Sequence, residues 1–410
     1  MANPRLIQSI FQCYFSRLDD HPLPLKDRKA AEAIRLCRTP EHGYHYYQCP
    51  DDHEAYIQSH SCKHRSCPLC ADKARHQWIE TQKQRLLDCP HYHVIFTLPH
   101  EYLPYWRYNQ KWFTQALFKA CRDTLMTLLA DSRYLGARPG LLMTLHTWGR
   151  QLNLHPHIHC LVTAGGLTAD QEWKPTRTDY LLPIQVVKGL YRGKLQALIQ
   201  AAIESTDIRL PPDHCLSDLK RCYYKTYQKA WSVRIQEQYE HGMGVVLYLA
   251  RYLKGGPIKP SQLVVGHRGI TFFYKDHRDK RVKSRRFTWE AFMQRLLWHV
   301  PEMGIHVVRH YGIYASSKKA SLKRCQDMVG CISDVKPDIT TGNHEENALN
   351  LTCKHCGKAL QLLYIRHKQR MNENSYKEKR LSINRNIVQQ GVDTDIANVP
   401  FIRGPDPIVA

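Results

Sequence analysis

Residues 154–163, Leu-His-Pro-His-Ile-His-Cys-Leu-Val-Thr, admit few folds. Beyond Pro156 histidine alternates with apolar or small side chains. In a β-strand, residues two apart share a face. His157 and His159 therefore project together, while Ile158, Cys160 and Val162 turn the opposite way into a core. Two imidazoles on one face are half of a metal site, although a lone pair of strand histidines serves equally well as half-exposed framework. The neighbours matter. Gly140–Trp148 reads as a second strand, and a connection centred near Gln151–Leu152 would set His146 opposite His157. Cross-strand neighbours share a face, so His146 is expected as the third ligand, with His93 and His155 as substitutes. A one-residue slip in register would turn His146 away.

The surrounding pattern is α+β. His91–Leu98 is a strand closed by Pro99. Residues 112–129 carry Phe113, Leu117, Cys121, Leu125 and Leu128 at helical core spacing. The histidine strand is expected to close at Ala164-Gly165-Gly166. Strand, helix and hairpin predict an antiparallel sheet with helices packed on it. Residues 4–36 form two helices broken at His21-Pro-Leu-Pro-Leu, and 71–88 form an amphipathic helix. Residues 167–240 look like an insertion with a short strand pair, a helix and a basic stretch from Leu216 to Tyr239. A hairpin over Leu263–Tyr274, a helix over Phe287–His299 and a strand over Ile305–Tyr311 follow.

Of 410 residues, 59 are Lys or Arg against 37 Asp or Glu, a formal charge of +22. Such an excess points to a polyanion, chiefly nucleic acid. It is most concentrated at Lys275, Arg278, Lys280, Arg281, Arg285 and Arg286, interleaved with Tyr274 and Phe287. That composition suits phosphate contact with base stacking; the bland alternative is a solvated hairpin tip. No apolar run approaches membrane length, and Met1-Ala-Asn-Pro-Arg-Leu-Ile is not a signal peptide. A cytoplasmic, nucleoid-associated chain is expected, in which the 15 cysteines stay reduced and point to metal ligation rather than to a disulfide framework.

Cys37, His45, Cys49, His53, Cys62, His64, Cys67 and Cys70 crowd into one turn-rich stretch. Cys67-Pro-Leu-Cys70 is a thiolate pair suited to tetrahedral Zn²⁺. Cys49 with His53 is the natural opposite pair, with Cys62 the main substitute and Cys37 and His45 further alternates. A redox C-x-x-C lacks its strand–helix unit here. Zinc would contribute ~10–16 kcal/mol to so small a module. Far downstream, Cys353-Lys-His-Cys356-Gly357 is half of a zinc ribbon without an obvious partner; Cys325, Cys331, His355 and His367 are poorly spaced candidates. From Lys318 onward the chain reads as a polar tail, flexible over 371–410.

Residues 244–257 form a short helix stopped by Gly255-Gly256-Pro257. Tyr248 and Tyr252, four apart, lie on one face, flanked by the apolar Val245, Leu249 and Leu253. Alone, such a pair is more often core edge than catalyst. Beside a histidine-held cation, which can orient a phosphodiester, a tyrosine hydroxyl is a plausible nucleophile. Two on one helix would permit two successive strand transfers.

His-Pro-His157-Ile-His159, Tyr248-Leu-Ala-Arg-Tyr252 and the Cys/His module ending Cys67-Pro-Leu-Cys70 together resemble the two-tyrosine HUH transposases of IS91-type rolling-circle insertion sequences. Pro90–Pro99, His146-Thr-Trp-Gly149, Thr271–Asp276 and Arg309–Gly312 add to the likeness, which runs from about Cys37 to about Lys319. One departure falls at Asp52, where the family often has the second cysteine of a pair. The resemblance implies a ferredoxin-like HUH nuclease domain, Mg²⁺ or Mn²⁺ at the histidines, Tyr248 and Tyr252 as catalytic residues, and a 5′-phosphotyrosine intermediate. It implies single-stranded transposon-end DNA as substrate and is compatible with a homodimer. The expected organisation is a helical and zinc-binding domain over 1–88, a catalytic domain over 89–315 with its insertion at about 167–240, and a tail over 316–410. Two rivals remain. A replication initiator or relaxase shares the chemistry, but its ATPase-coupled form is disfavoured because G-x-x-x-x-G-K-[ST] is absent. A zinc-dependent DNA-binding protein would have no catalysis.

Overall fold

The computed structural model describes residues 3, 5–19, 23–177, 180–240, 242–253, 256, 258–276, 279–331 and 351–368. In chain order the elements begin with α1 (Leu6–Tyr14), α2 (Leu25–Leu36), β1 (Gly43–Gln48), β2 (Ala55–Ser59), α3 (Pro68–Lys83) and β3 (His91–Thr97). There follow α4 (Leu103–Tyr108), α5 (Gln110–Ala130), β4 (Arg138–Trp148), β5 (Leu154–Leu167), β6 (Trp173–Pro175), α6 (Ile184–Glu204), α7 (Leu216–Tyr227) and β7 (Val233–Tyr239). The last are α8 (Met243–Leu253), β8 (Leu263–Gly266), β9 (Gly269–Lys275), β10 (Val282–Phe287), α9 (Trp289–Leu297), β11 (Val308–Gly312), α10 (Lys319–Val329) and β12 (Gln361–His367).

Two compact units result, and they cross the linear boundaries expected at 88 and 315. Among the described residues, the smaller is drawn from those within Met1–Leu6, Leu36–Cys62 and Glu345–Ala410, the larger from those within Ile7–Arg35 and Lys63–His344.

The larger unit is built on an antiparallel sheet ordered β11-β4-β5-β3-β7, with the short β6 also on β5. One face carries Val94, Phe96, Leu141, Met143, Ile158, Cys160 and Val162, buried against Phe113, Leu117, Cys121 and Leu125 of α5 and Tyr191, Leu195 and Ile199 of α6. The i, i+4 spacing along α5 is what turns one stripe of that helix into the sheet. Truncating a fully buried phenylalanine such as Phe113 would cost about 3–5 kcal/mol. The opposite face carries the histidines and a second, smaller core. There Leu142 and Leu161 meet Val245, Val246 and Leu249 of α8, together with Leu86, Leu87, Ile313, Tyr314 and Cys325. Helix α1 belongs with this unit: Tyr14 stacks on Trp289 of α9 with ring centroids 3.8 Å apart.

Three sequence expectations need correcting. Strand β5 does not close at Ala164 but runs through Gly165 and Gly166 to Leu167. A Cβ on Gly165 would lie 2.5 Å from the Trp173 indole, so glycine is what lets β6 pair there. Within the supposed insertion, Val233–Tyr239 is an edge strand of the main sheet, paired antiparallel with β3. Residues 319–329, expected as polar tail, form helix α10, and its Cys325 is buried in the second core. The flexible tail expected over 371–410 lies outside the described residues.

The smaller unit is a three-stranded antiparallel sheet ordered β12-β1-β2. Gly43 pairs with His367 and Gln48 with Gln361, so strands about 300 residues apart in sequence lie side by side. Tyr46 stacks on Tyr364 at 4.9 Å.

Candidate active site and Cys/His clusters

The β4–β5 register sets His146 opposite His157 and Thr144 opposite His159. The ligand nitrogens of His146, His157 and His159 lie within 4.8 Å of one another. His146 and His159 are each 2% exposed, whereas His157 is half-buried and forms the solvent side of the cluster. The Trp148 ring stacks on His146 at 5.0 Å.

Hydrogen bonds determine which nitrogen of His157 and of His159 faces the cluster. His157 donates from Nδ1 to the His155 carbonyl at 2.6 Å, leaving Nε2 as its lone-pair nitrogen. The ring of His155, a substitute ligand in the sequence reading, stands outside the trio. His93, the other substitute, stands behind His159: its Nε2 lies 2.7 Å from His159 Nδ1, and its Nδ1 lies 2.5 Å from Oε1 of Gln236 on β7. With the amide oxygen accepting from His93 Nδ1–H, His93 Nε2 accepts from His159 Nδ1–H, and the lone pair of the His159 ring lies on Nε2. This is the outer-shell support that metal-ligating histidines usually carry. Gln236 carries no sequence signal of its own, because its strand reads as the end of a basic stretch.

Burial holds all of these imidazoles neutral. It pushes His157 down to about 3 and His93 to about 4. His146 and His159 fall well below the usual histidine value through burial, reinforced by their imidazole neighbours. Near neutral pH the trio therefore offers unprotonated nitrogens.

Tyr248 and Tyr252 occupy successive turns of α8; their side chains lie outside the described part of the structure. The position of the helix is described. Val245, Val246 and Leu249 pack with Leu142 and Leu161, and Leu161 is the next position after His159 on the same face of β5. Two strand residues span about 7 Å. The tyrosine-bearing helix thus stands on the histidine face of the sheet, one same-face step from the trio. Helix α3 lies against α8, and its N-cap is Cys67. Cys70 follows one turn on, its N–H bonded to the Cys67 carbonyl at 3.2 Å.

In the smaller unit Cys49 and His53 do not follow the expectation that joined them to Cys67 and Cys70. Their partners are Cys353 and Cys356, all four ligand atoms lying within 4.8 Å of one another. The C-terminal knuckle thus has partners after all, but not Cys325, Cys331, His355 or His367. Cys37 accepts a 3.5 Å hydrogen bond from the Cys62 N–H, while His45 lies in mid-β1 against His60 and Tyr47.

In the basic segment, Lys275, Lys280, Arg281, Arg285 and Arg286 are exposed on β9, β10 and the turn between them; Arg278 lies outside the described residues. Lys283 is engaged by Asp276 and Asp279 at 2.7 and 2.9 Å. Arg150, in the turn joining β4 to β5, donates to the Lys275 carbonyl at 3.1 Å, tying this hairpin to the one that bears the histidines.

Residues 140–321 match a family model described as "Putative transposase", and residues 6–98 match one described as "Transposase zinc-binding domain". The class is therefore that of DNA transposases with a zinc-binding domain. The chain is 32% identical over 334 residues to "Putative transposase y4qJ" of Sinorhizobium fredii (strain NBRC 101917 / NGR234), covering 79% of this chain and 84% of that protein. It is 31% identical over 328 residues to the transposase for insertion sequence element IS801 of Pseudomonas savastanoi pv. phaseolicola, covering 76% and 77%. The chain belongs to the IS91/IS801 family of insertion-sequence transposases. Among solved structures, the conjugative relaxase TrwC aligns with 39% of this chain and 70% of its own at 12% identity, with a TM-score of 0.22. Among the described residues no helix is long and apolar enough to cross a membrane.

Proposed function

We propose that this transposase cleaves and rejoins single-stranded transposon-end DNA by tyrosine transesterification. The observation that carries the proposal is the seating of α8 on the histidine face of the sheet, with its footing residue Leu161 two positions from His159. A phenol Oη of Tyr248 or Tyr252 attacks the scissile phosphorus. The P–O3′ bond breaks, the 3′-oxygen leaves as a hydroxyl, and the 5′-phosphate stays on the tyrosine. Reattack by a 3′-hydroxyl reverses the step and joins strands. The phenol proton must be lost on attack, and an ordinary phenol titrates near 10. The second tyrosine allows a second transfer while the first strand is still held.

His146, His157 and His159 would hold the divalent cation. Their fit rests on three neutral, converging imidazoles, two of them fixed in tautomer by the His155 carbonyl and by His93. An all-nitrogen donor set favours Mn²⁺ over Mg²⁺, which prefers oxygen ligands. A bound cation would polarise and orient the phosphodiester. Exposed Lys275, Lys280, Arg281, Arg285 and Arg286 would neutralise the flanking backbone.

The test is covalent capture on a labelled single-stranded transposon-end oligonucleotide. Wild-type protein leaves a denaturation-resistant adduct, and the double variant Tyr248→Phe, Tyr252→Phe leaves none. A full-strength adduct in the double variant would remove the tyrosine mechanism; no adduct from the wild type under any divalent condition would favour a DNA-binding role without catalysis.

A further inference from the structure

We propose that Cys49, His53, Cys353 and Cys356 bind one Zn²⁺, making the C-terminal knuckle an integral half of the N-terminal zinc module. The matched zinc-binding region, residues 6–98, contains only half of this donor set.

The geometry is that of tetrahedral Cys₃His zinc. With Zn–S near 2.3 Å and Zn–N near 2.0 Å, ligand atoms stand about 3.5–3.8 Å apart. Here Cys49 Sγ is 3.5 Å from Cys356 Sγ and 3.7 Å from His53 Nδ1, and Cys353 Sγ is 3.9 Å from the same His53 nitrogen. The 3.5 Å sulfur separation is far longer than the ~2.05 Å of a disulfide.

The two halves have matching local architecture. In each, the cysteine begins a tight hairpin turn: the Cys49 N–H bonds the Glu54 carbonyl at 2.9 Å, and the Cys353 N–H bonds the Lys358 carbonyl at 2.8 Å. In each, an N–H two residues on points at the sulfur, Asp51 to Cys49 and His355 to Cys353, both at 3.4 Å. Such N–H···S contacts help a thiolate carry its charge. Gly357 at φ +71 supplies the left-handed residue that its turn needs. Ion pairing links the halves, with Lys358 Nζ 2.8 Å from Asp51 Oδ2, and the Glu54 carboxylate accepts from the Lys354 N–H. Both turns sit at one end of the sheet, because Gln48 of β1 pairs with Gln361 of β12.

The ligand pairs bracket nearly the whole catalytic sequence. The site therefore cannot close until synthesis has passed Cys356, and a chain ending before Cys353 lacks half the donors.

Differential alkylation of the native full-length protein, read by peptide mass, tests this. In zinc-loaded protein Cys49, Cys353 and Cys356 should resist modification, while exposed Cys13 and Cys215 react. A chelator should expose the three in concert, and added Zn²⁺ should restore protection. The Cys353→Ser, Cys356→Ser variant should lose one zinc equivalent and protection at Cys49, whereas His53→Cys should retain zinc and show a Co²⁺ charge-transfer band grown by one thiolate. Modification of Cys353 and Cys356 at the rate of Cys215 despite zinc would overturn the proposal. So would protection that ignores chelator and yields to reductant, or Cys49 protection unchanged in the double serine variant.

Discussion

Replacing His93 with alanine probes how the active-site geometry is held. His93 is 3% exposed and stands between His159, 2.7 Å away, and Gln236, 2.5 Å away. Truncation removes the acceptor that holds the His159 proton on Nδ1, so the ring can place that proton on the nitrogen meant for the cation. Loss of an outer-shell partner typically weakens metal binding 10–100-fold, or about 1.4–2.8 kcal/mol. A cavity adds to the instability, so metal affinity must be read apart from folding. The assay is a Mn²⁺ titration of single-strand cleavage with direct Mn²⁺ binding by electron paramagnetic resonance. The dissociation constant should rise 10–100-fold, with cleavage recovering largely at saturating Mn²⁺. Gln236→Leu should move it the same way by less. Unchanged Mn²⁺ affinity in folded His93→Ala would refute the relay; cleavage that no metal concentration restores would instead make His93 a direct participant.

Other expectations follow from the same structure. Lys280→Ala, Arg281→Ala, Arg285→Ala and Arg286→Ala combined should flatten the salt dependence of single-strand binding by about 3 in slope, at roughly 0.7 per phosphate contact; Lys283→Ala, already engaged by two carboxylates, should change it least. Acid should destabilise the metal-free protein. Burial pushes His91 down to about 4 from an ordinary 6.5, so the unfolded chain takes up that proton first. Its stabilisation is present above pH 6.5 and is lost as pH falls toward 4, about 3 kcal/mol from this group. Denaturant melts from pH 7 to 4 check this, and stability that is flat or rising toward pH 4 would contradict it. Truncation before Cys353 should lower zinc content by one equivalent and expose Cys49, measurable by metal analysis of the purified chain.

Parts of the fold were legible because the sequence encodes them locally. The alternation through His157-Ile-His159-Cys160-Leu161-Val162 announces a two-faced strand, and the spacing on either side of the turn is enough to set His146 opposite His157. The apolar Val245 and Leu249 marked how α8 would be anchored. What failed was either weakly patterned or distant. Val233-Arg-Ile-Gln-Glu-Gln-Tyr239 is an edge strand with a polar pattern, so nothing local marks Gln236. Helix α10 has few apolar residues, and Cys325 alone gives little sign of a buried contact. Cys49 and His53 are grouped with Cys67 and Cys70 by nearness in sequence. Their structural partners lie about 300 residues away, across the β1–β12 pairing, where no local pattern could point.

The central claim is that a phenol on α8 takes the phosphate. Mass mapping of the peptide crosslinked to a cleaved transposon-end oligonucleotide tests it most directly. The account predicts a 5′-phosphodiester to Tyr248 or Tyr252, formed only when His146, His157 and His159 are intact and a divalent cation is present. Linkage to a residue outside α8, or cleavage that leaves no linked peptide, would contradict it.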